Sequence, residues 1–216
     1  MVILRFFFAV LGGYFAIIIL LGIIYIVVPP VSTLMVARWV SFNEVNHENI
    51  PLKSINRNLL RAVITAEDDE FCSHWGINWR MMDKTIKKSG KRRSHGASTI
   101  PMQVAKNLFL WPERSYVRKI LELPIAMYIN LVWSKKRMME VYLSVAQWGE
   151  GTFGAEAAAR KYFNKSAKQL TERESALLAA SLPNPIKRNP NNPSAYVNKY
   201  SNSILSRSRG ADLSCF

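Results

Sequence analysis

Residues 6–28 run for 23 positions without a charged, amide or hydroxylic side chain, two tyrosines excepted. A helix of that length extends about 35 Å, slightly more than the ~30 Å hydrocarbon core of a bilayer. Pro29-Pro30 follows and stops it. A cleaved signal peptide is the alternative, but its apolar region is usually only ~7–15 residues long and precedes a small-residue cleavage site. The run therefore reads as an uncleaved anchor. Arg5 and the amino terminus are the only cationic groups before Arg38. The positive-inside rule then puts the N-terminus in the cytoplasm and the bulk of the chain outside. The expected organisation is a cytoplasmic N-terminus (1–5), a transmembrane helix (6–28), a linker (29–44), one domain (45–206) and a tail (207–216).

Charge separates the anchor from the rest. The chain carries 29 Lys and Arg against 15 Asp and Glu, a formal net charge of +14, and almost all of it lies beyond the apolar run. With 49% hydrophobic residues the chain is not disordered, and with two cysteines it is not a disulfide framework. Cys72 and Cys215 are 143 positions apart, a spacing that does not argue for a bond. A basic domain held at a membrane meets anionic lipid or a phosphorylated substrate. Nucleic acid is the weaker reading, because the basic residues do not interleave with an aromatic stacking platform.

Beyond the linker the periodicity is helical. Ile55, Leu59, Leu60, Val63, Ile64, Glu67 and Phe71 recur at three- and four-residue steps. Residues 84–98 read as a mobile basic loop containing Lys84, Lys87, Lys88, Lys91, Arg92 and Arg93. A helix starts near Ser98 and Thr99, with Pro101 in its first turn. Others are expected over 115–133, kinked at Pro124, over 135–146 and over 153–163. Thr171 and Glu174 form a capping box that opens a helix ended by Pro183. No strand period stands out, and the last two dozen residues are polar and uninformative.

The chemistry points to two carboxylates. Glu67 falls on the apolar stripe of its helix, so it is either paired or kept dry, and drying makes it a stronger base. Glu122 lies between Leu121 and Leu123, the only acidic residue between Glu113 and Glu140. Either could instead be a buried carboxylate answered by a basic neighbour. Between them, Gln103, Lys106 and Asn107 share one helix face, and Arg114, Arg118 and Lys119 follow. Ser98 and Thr99 at a helix N-terminus form a natural anion site. A glycosidase needs a neutral acid and a water site. A transferase using a sugar diphosphate needs a base on the acceptor and cations on the leaving phosphates. The cation supply fits the second better. His47, His74 and His95 have no metal-ligand spacing.

These residues resemble the peptidoglycan glycosyltransferases of family 51. Glu67-Asp68-x-x-Phe71-x-x-His74-x-Gly76 resembles the first family motif. Gly96-Ala97-Ser98-Thr99-Ile100 with Gln103, Lys106 and Asn107 resembles the second. Arg118-Lys119-x-x-Glu122 resembles the third, and Lys135 with Tyr142-Leu143 the fourth. Gly154, Ala157-Ala158, Tyr162-Phe163, Glu174 and Pro183 follow in order. The single anchor and the missing transpeptidase region are similar to the family's monofunctional members.

The resemblance implies an all-α, lysozyme-like lobe with a small membrane-associated jaw. It implies polymerisation of lipid II into β-1,4 glycan strands, with inversion and release of undecaprenyl diphosphate. Glu67 would be the base on the acceptor hydroxyl. Glu122 would act at the donor diphosphate, through basic neighbours or a divalent cation (Mg2+ or Mn2+). Lys106, Arg114 and Arg118 would bind phosphates, and Ser98, Thr99 and Gln103 would position the sugar and diphosphate. Asp68, Phe71, His74, Asn107, Lys119 and Lys135 complete the implied substrate site. The implied partners are lipid II, the growing strand, the membrane and proteins of cell-wall synthesis or division. The implied location is the extracytoplasmic side of the bacterial inner membrane. The chain departs from the family pattern at Pro101-Met102, Ser144, Asn130, Gln147 and Pro124. Two alternatives remain: a lytic glycan-cleaving enzyme, and a lipid II-binding scaffold that turns over poorly.

Overall fold

The computed structural model describes residues 1–88, 98–113 and 115–216, and of Ile3, Leu4, Phe7, Ile86 and Lys88 the backbone alone. Among the described residues the fold is mainly helical, with ten α-helices and one three-stranded sheet. The helices are α1 (Val2–Ile24), α2 (Thr33–Val40), α3 (Arg57–Glu67), α4 (Trp79–Lys88) and α5 (Ile100–Phe109). They continue as α6 (Tyr116–Val132), α7 (Lys135–Val145), α8 (Ala155–Phe163), α9 (Glu172–Ser181) and α10 (Ala195–Ser208).

The helix starts follow from their capping residues. Ser32, Asn56, Thr99, Ser115, Ser134, Thr171 and Ser194 each accept a backbone N–H of the first turn through the side chain. Thr171 and Glu174 form the expected capping box. Pro101 is tolerated because it sits in the first turn of α5, where its missing N–H would have had no helical partner.

Two helical groups make the core. In one, α9 packs against α3 and α10; in the other, α5 packs against α6 and α7. Trp148, Tyr142, Phe71, Phe153 and Leu59 are among the largest fully buried side chains. The sheet was not legible as a strand period because its strands are two or three residues long. β1 (Asn46–His47) runs parallel to β3 (Thr152–Phe153), and β2 (Gln147–Gly149) pairs antiparallel with β3.

Several expectations need correction. The first helix stops at Ile24, and residues 25–28 turn before the prolines. The helix bearing Glu67 ends on that residue, so Phe71 lies in the turns beyond it. The basic stretch begins as helix, since α4 runs through Lys88 and Lys87 pairs with Asp83 at 2.6 Å. Lys91, Arg92, Arg93 and His95 lie outside the described residues. The C-terminal region contains a 14-residue helix, α10, whose inner face is Val197, Ser201, Ile204 and Ser208. Two serines at buried positions hid that stripe from a hydrophobic reading.

The C-terminal half of α1 lies against the α5–α6 group. Tyr14 Oη donates to the Phe109 carbonyl at 2.7 Å, Tyr128 Oη to Ile19 at 2.6 Å and Trp133 Nε1 to Gly22 at 2.7 Å. Arg137 donates to the carbonyls of Tyr25 and Val28. Gly22 permits this approach, because a Cβ there would meet the Tyr128 ring at 2.5 Å. No uninterrupted stretch of described residues in any helix is long and apolar enough to cross a membrane.

Candidate active site

The end of α3 and the start of α5 bring the chemistry together. Asp68 follows Glu67 at the helix C-cap with an extended φ of −162°. Its buried carboxylate accepts from His74 Nε2 at 2.9 Å and from the Ile100 backbone N–H at 2.9 Å. The anion at the N-terminus of α5 is therefore Asp68 itself, stabilised by the helix dipole. Thr99 caps the same helix and donates to the Gly76 carbonyl at 2.5 Å. Gly76 has a φ of +81°, and a Cβ there would lie 2.9 Å from the Ala126 carbonyl oxygen. Only glycine fits that crossing with α6.

Glu67 is thereby fixed at the edge of a cavity of about 590 Å³ lined by residues of α3, the following turns and α10. Its Oε2 accepts from Gln103 Nε2 at 2.7 Å. Gln103 is oriented in turn by Tyr142, whose buried hydroxyl donates to Gln103 Oε1 at 3.4 Å. Glu67 Oε1 is shielded and has no hydrogen-bond partner among the described residues. Burial pushes the Glu67 carboxyl above the usual carboxylate range, opposed first by the Gln103 bond and then by the Lys106 charge.

Lys106, one helical turn after Gln103, stands within electrostatic reach of both candidate carboxylates. Burial pulls its ammonium below the usual lysine range; the charges of Glu122 and Glu67 pull it back up, while Arg118 and Lys119 oppose them. Among the described residues its ammonium makes no hydrogen bond or ion pair. Glu122 is 3% exposed. It accepts from Arg118 Nη1 at 2.6 Å and from Lys119 Nζ at 2.7 Å. Lys119 also donates to Ser98 Oγ at 2.6 Å. The Arg118 Nε–H donates to the Glu113 carbonyl at 2.8 Å. Arg114 lies outside the described residues.

The other expected site residues support this arrangement from behind. Phe71 is fully buried and turns its ring to Lys135, whose Nζ is 4.7 Å from the ring centroid. Lys135 Nζ also donates to the His74 carbonyl at 2.8 Å, and burial brings its pKa down to about 8. The Asn107 carbonyl accepts from Thr33 Oγ1 at 3.2 Å, tying α5 to α2. Among the described residues no group of three His, Cys, Asp or Glu is placed to hold a metal ion. Glu122, the carboxylate considered for one, already has both oxygens on cations. The described donor set does not fit a metal.

The departures from the family pattern are accommodated locally. Met102 is fully buried, so the amide missing there would have faced the core. Ser144 Oγ donates to Asn49 Oδ1 at 2.8 Å and lies 3.2 Å from His47 Nε2, so neighbouring side chains complete its polar contacts. The sequence reading missed Tyr142 as a support of Gln103. It also missed the α10 wall of the cavity, which includes Tyr196, Lys199, Tyr200 and Arg207. Arg188 lies over the Tyr196 and Tyr200 rings, and its charge offsets a small part of the rise that burial gives the Glu67 pKa.

Comparison with known proteins matches residues 34–209 to the Transglycosylase family model. The chain belongs to the Transglycosylase family. A relative from Agrobacterium fabrum (strain C58 / ATCC 33970), named biosynthetic peptidoglycan transglycosylase, is 47% identical over 183 residues, covering 84% of this chain and 81% of its own. Another of that name, from Brucella suis biovar 1, is 47% identical over 181 residues, covering 83% and 81%. One from Rhodopseudomonas palustris (strain HaA2) is 46% identical over 196 residues, covering 89% and 86%. The Transglycosylase match spans α2 to α10, so every described residue of the candidate site lies inside it.

Proposed function

We propose that this chain is a peptidoglycan glycosyltransferase that polymerises lipid II into β-1,4 glycan strands. One observation carries the reading. A dry carboxylate with one oxygen unpartnered among the described residues (Glu67) shares its surroundings with an ammonium that has no described partner (Lys106). The acceptor 4-hydroxyl gives its proton to Glu67 as its oxygen attacks the donor C1. The C1–O bond to the diphosphate breaks from the opposite face, and the leaving diphosphate takes the electron pair. Lys106, with Arg118 and Lys119 held by Glu122, stabilises the charge that develops there. Finished glycan has no such leaving group, so the cations favour transfer over strand cleavage.

Residues 6–28 anchor the enzyme in the cytoplasmic membrane, with residues 45–206 outside. Support comes from the apolar run and from the disulfide between Cys72 and Cys215, a bond that persists in oxidising compartments. Exposed Tyr116, Val117, Ile120 and Leu131 on α6, beside the docked end of α1, suit a jaw that rests in the lipid. Protease added to intact spheroplasts is expected to digest the domain; digestion only after lysis would overturn this orientation.

The function is tested with labelled lipid II and full-length protein in detergent. Wild type is expected to give lengthened strands and free polyprenyl diphosphate. Lys106→Ala is expected to lose roughly 10²-fold in kcat/KM while still folding. Lipid II bound but not polymerised by wild type would favour the scaffold reading.

A further inference from the structure

The last seven residues lie beyond the stretch that matches the family, yet they are folded against the segment that follows Glu67. Cys215 is joined to Cys72 by a disulfide, with their Cα atoms 5.4 Å apart. The Phe216 ring stacks on Phe71, centroids 6.0 Å apart and planes inclined by 22°. Ala211, Leu213 and Phe216 pack on the hydrophobic core as partly buried side chains.

What they grip is a chain of supports. Residues 68–74 form successive turns without helix or sheet, held by Phe71 N–H to the Asp68 carbonyl at 2.9 Å and Ser73 N–H to Glu70 at 3.0 Å. Phe71 is their only apolar side chain in the buried core. From it the contacts lead to Lys135 and His74, then to Asp68, then to the α5 N-terminus that presents Gln103 to Glu67. Asp69 and Glu70, in the same turns, line the cavity.

We infer that residues 210–216 are a covalent strap, and that Phe216 and the Cys72–Cys215 bond are positioning residues for the Asp68–His74 turns and hence for the site around Glu67. Turnover then depends on the oxidised state. A dithiol reductant breaks the strap by attack of one thiolate on the S–S bond. Its second thiol resolves the mixed disulfide, leaving two cysteine thiols and a cyclic disulfide of the reductant. Cys72 and Cys215 are both partly exposed, so the bond is open to this exchange. Tyr200 Oη donates to the Ala66 carbonyl in the last turn of α3 and Arg207 pairs with Asp69, so α10 tethers this region independently of the strap.

The effect on turnover rests on the glycosyltransferase reading; the effect on local order does not. The experiment compares oxidised full-length protein in detergent with protein reduced by dithiothreitol, and adds Phe216→Ala and Phe216→Tyr. Amide hydrogen exchange of residues 66–76 and kcat and KM on lipid II are measured well below each melting temperature. Reduction and Phe216→Ala are each expected to speed exchange in 68–74 and to lower kcat about tenfold. Phe216→Tyr keeps the stacking and is expected to restore both. Unchanged exchange on reduction would overturn the strap. Faster exchange with unchanged kcat and KM would reduce it to a structural staple and overturn the positioning role. If oxidised wild type made no polymer, the functional reading would fail, and exchange alone would decide the strap.

Discussion

Glu67→Gln is expected to leave a folded protein whose strand synthesis is nearly abolished, with kcat lowered by about 10³-fold or more. The substitution removes the proton acceptor and little else. Gln103 can still hydrogen-bond the new amide, and the shape is conserved. Loss of a positioned general base typically costs ~10²–10⁴-fold; the upper part of that range applies because the other described carboxylates near the cavity are engaged, Asp69 with Arg207 and Glu70 with Asn78 and Arg80. Asp68 is committed to His74 and Ile100, and Glu122 to Arg118 and Lys119.

The same environment fixes a pH signature. Burial raises the Glu67 pKa, so the base is lost as pH falls through a value above the usual carboxylate range. The acid limb of kcat/KM is expected there, and the residual activity of Glu67→Gln should lack it. Stability moves the other way. A carboxyl whose folded pKa is raised costs the fold nothing below its unfolded pKa and costs progressively more as pH rises through the folded one. Glu67→Gln should therefore melt above wild type at neutral pH and with it in acid. Equal polymerisation by wild type and mutant would remove Glu67 from the reaction.

The sequence carried most of the helical frame because caps and apolar stripes are local signals. Ser115, Ser134 and Thr171 start their helices where the pattern placed them. Glu67 and Glu122 stood out as carboxylates in apolar surroundings, and both are enclosed. What was illegible depends on pairing across distance. Tyr142 matters through Gln103, 39 positions away. Cys72 and Cys215 meet only because α10 returns the chain to the end of α3. Thr99 looked like an anion-binding terminus, but the Asp68 carboxylate supplies that anion from 32 positions upstream. Periodicity also overran the end of α3: Phe71 continues the stripe in spacing, yet it is buried from a turn, against the C-terminal tail.

Glu122→Ala is expected to destabilise the fold by about 3–5 kcal/mol, the usual cost of removing one partner from a buried ion pair. Glu122 and Arg118 are both largely enclosed, with side-chain exposures of 3% and 9%. Without the carboxylate, the Arg118 guanidinium keeps its bond to the Glu113 carbonyl but loses its counter-charge. Lys119 differs, since its side chain is 44% exposed and water can replace the lost partner. The asymmetry makes the prediction specific. Lys119→Ala should cost well under 1 kcal/mol, as exposed pairs do, while Arg118→Ala should approach Glu122→Ala. For a chain of this size, ~3–5 kcal/mol lowers the melting temperature by roughly 6–20 °C. A double-mutant cycle between positions 118 and 122, read by thermal unfolding in detergent, measures the coupling directly. Coupling below about 1 kcal/mol would mean that Glu122 is not held by Arg118 as a structural pair. Strong coupling would make Glu122 the group that orients the cations, so that Glu122→Ala slows polymerisation by displacing Arg118 and Lys119 from the leaving diphosphate.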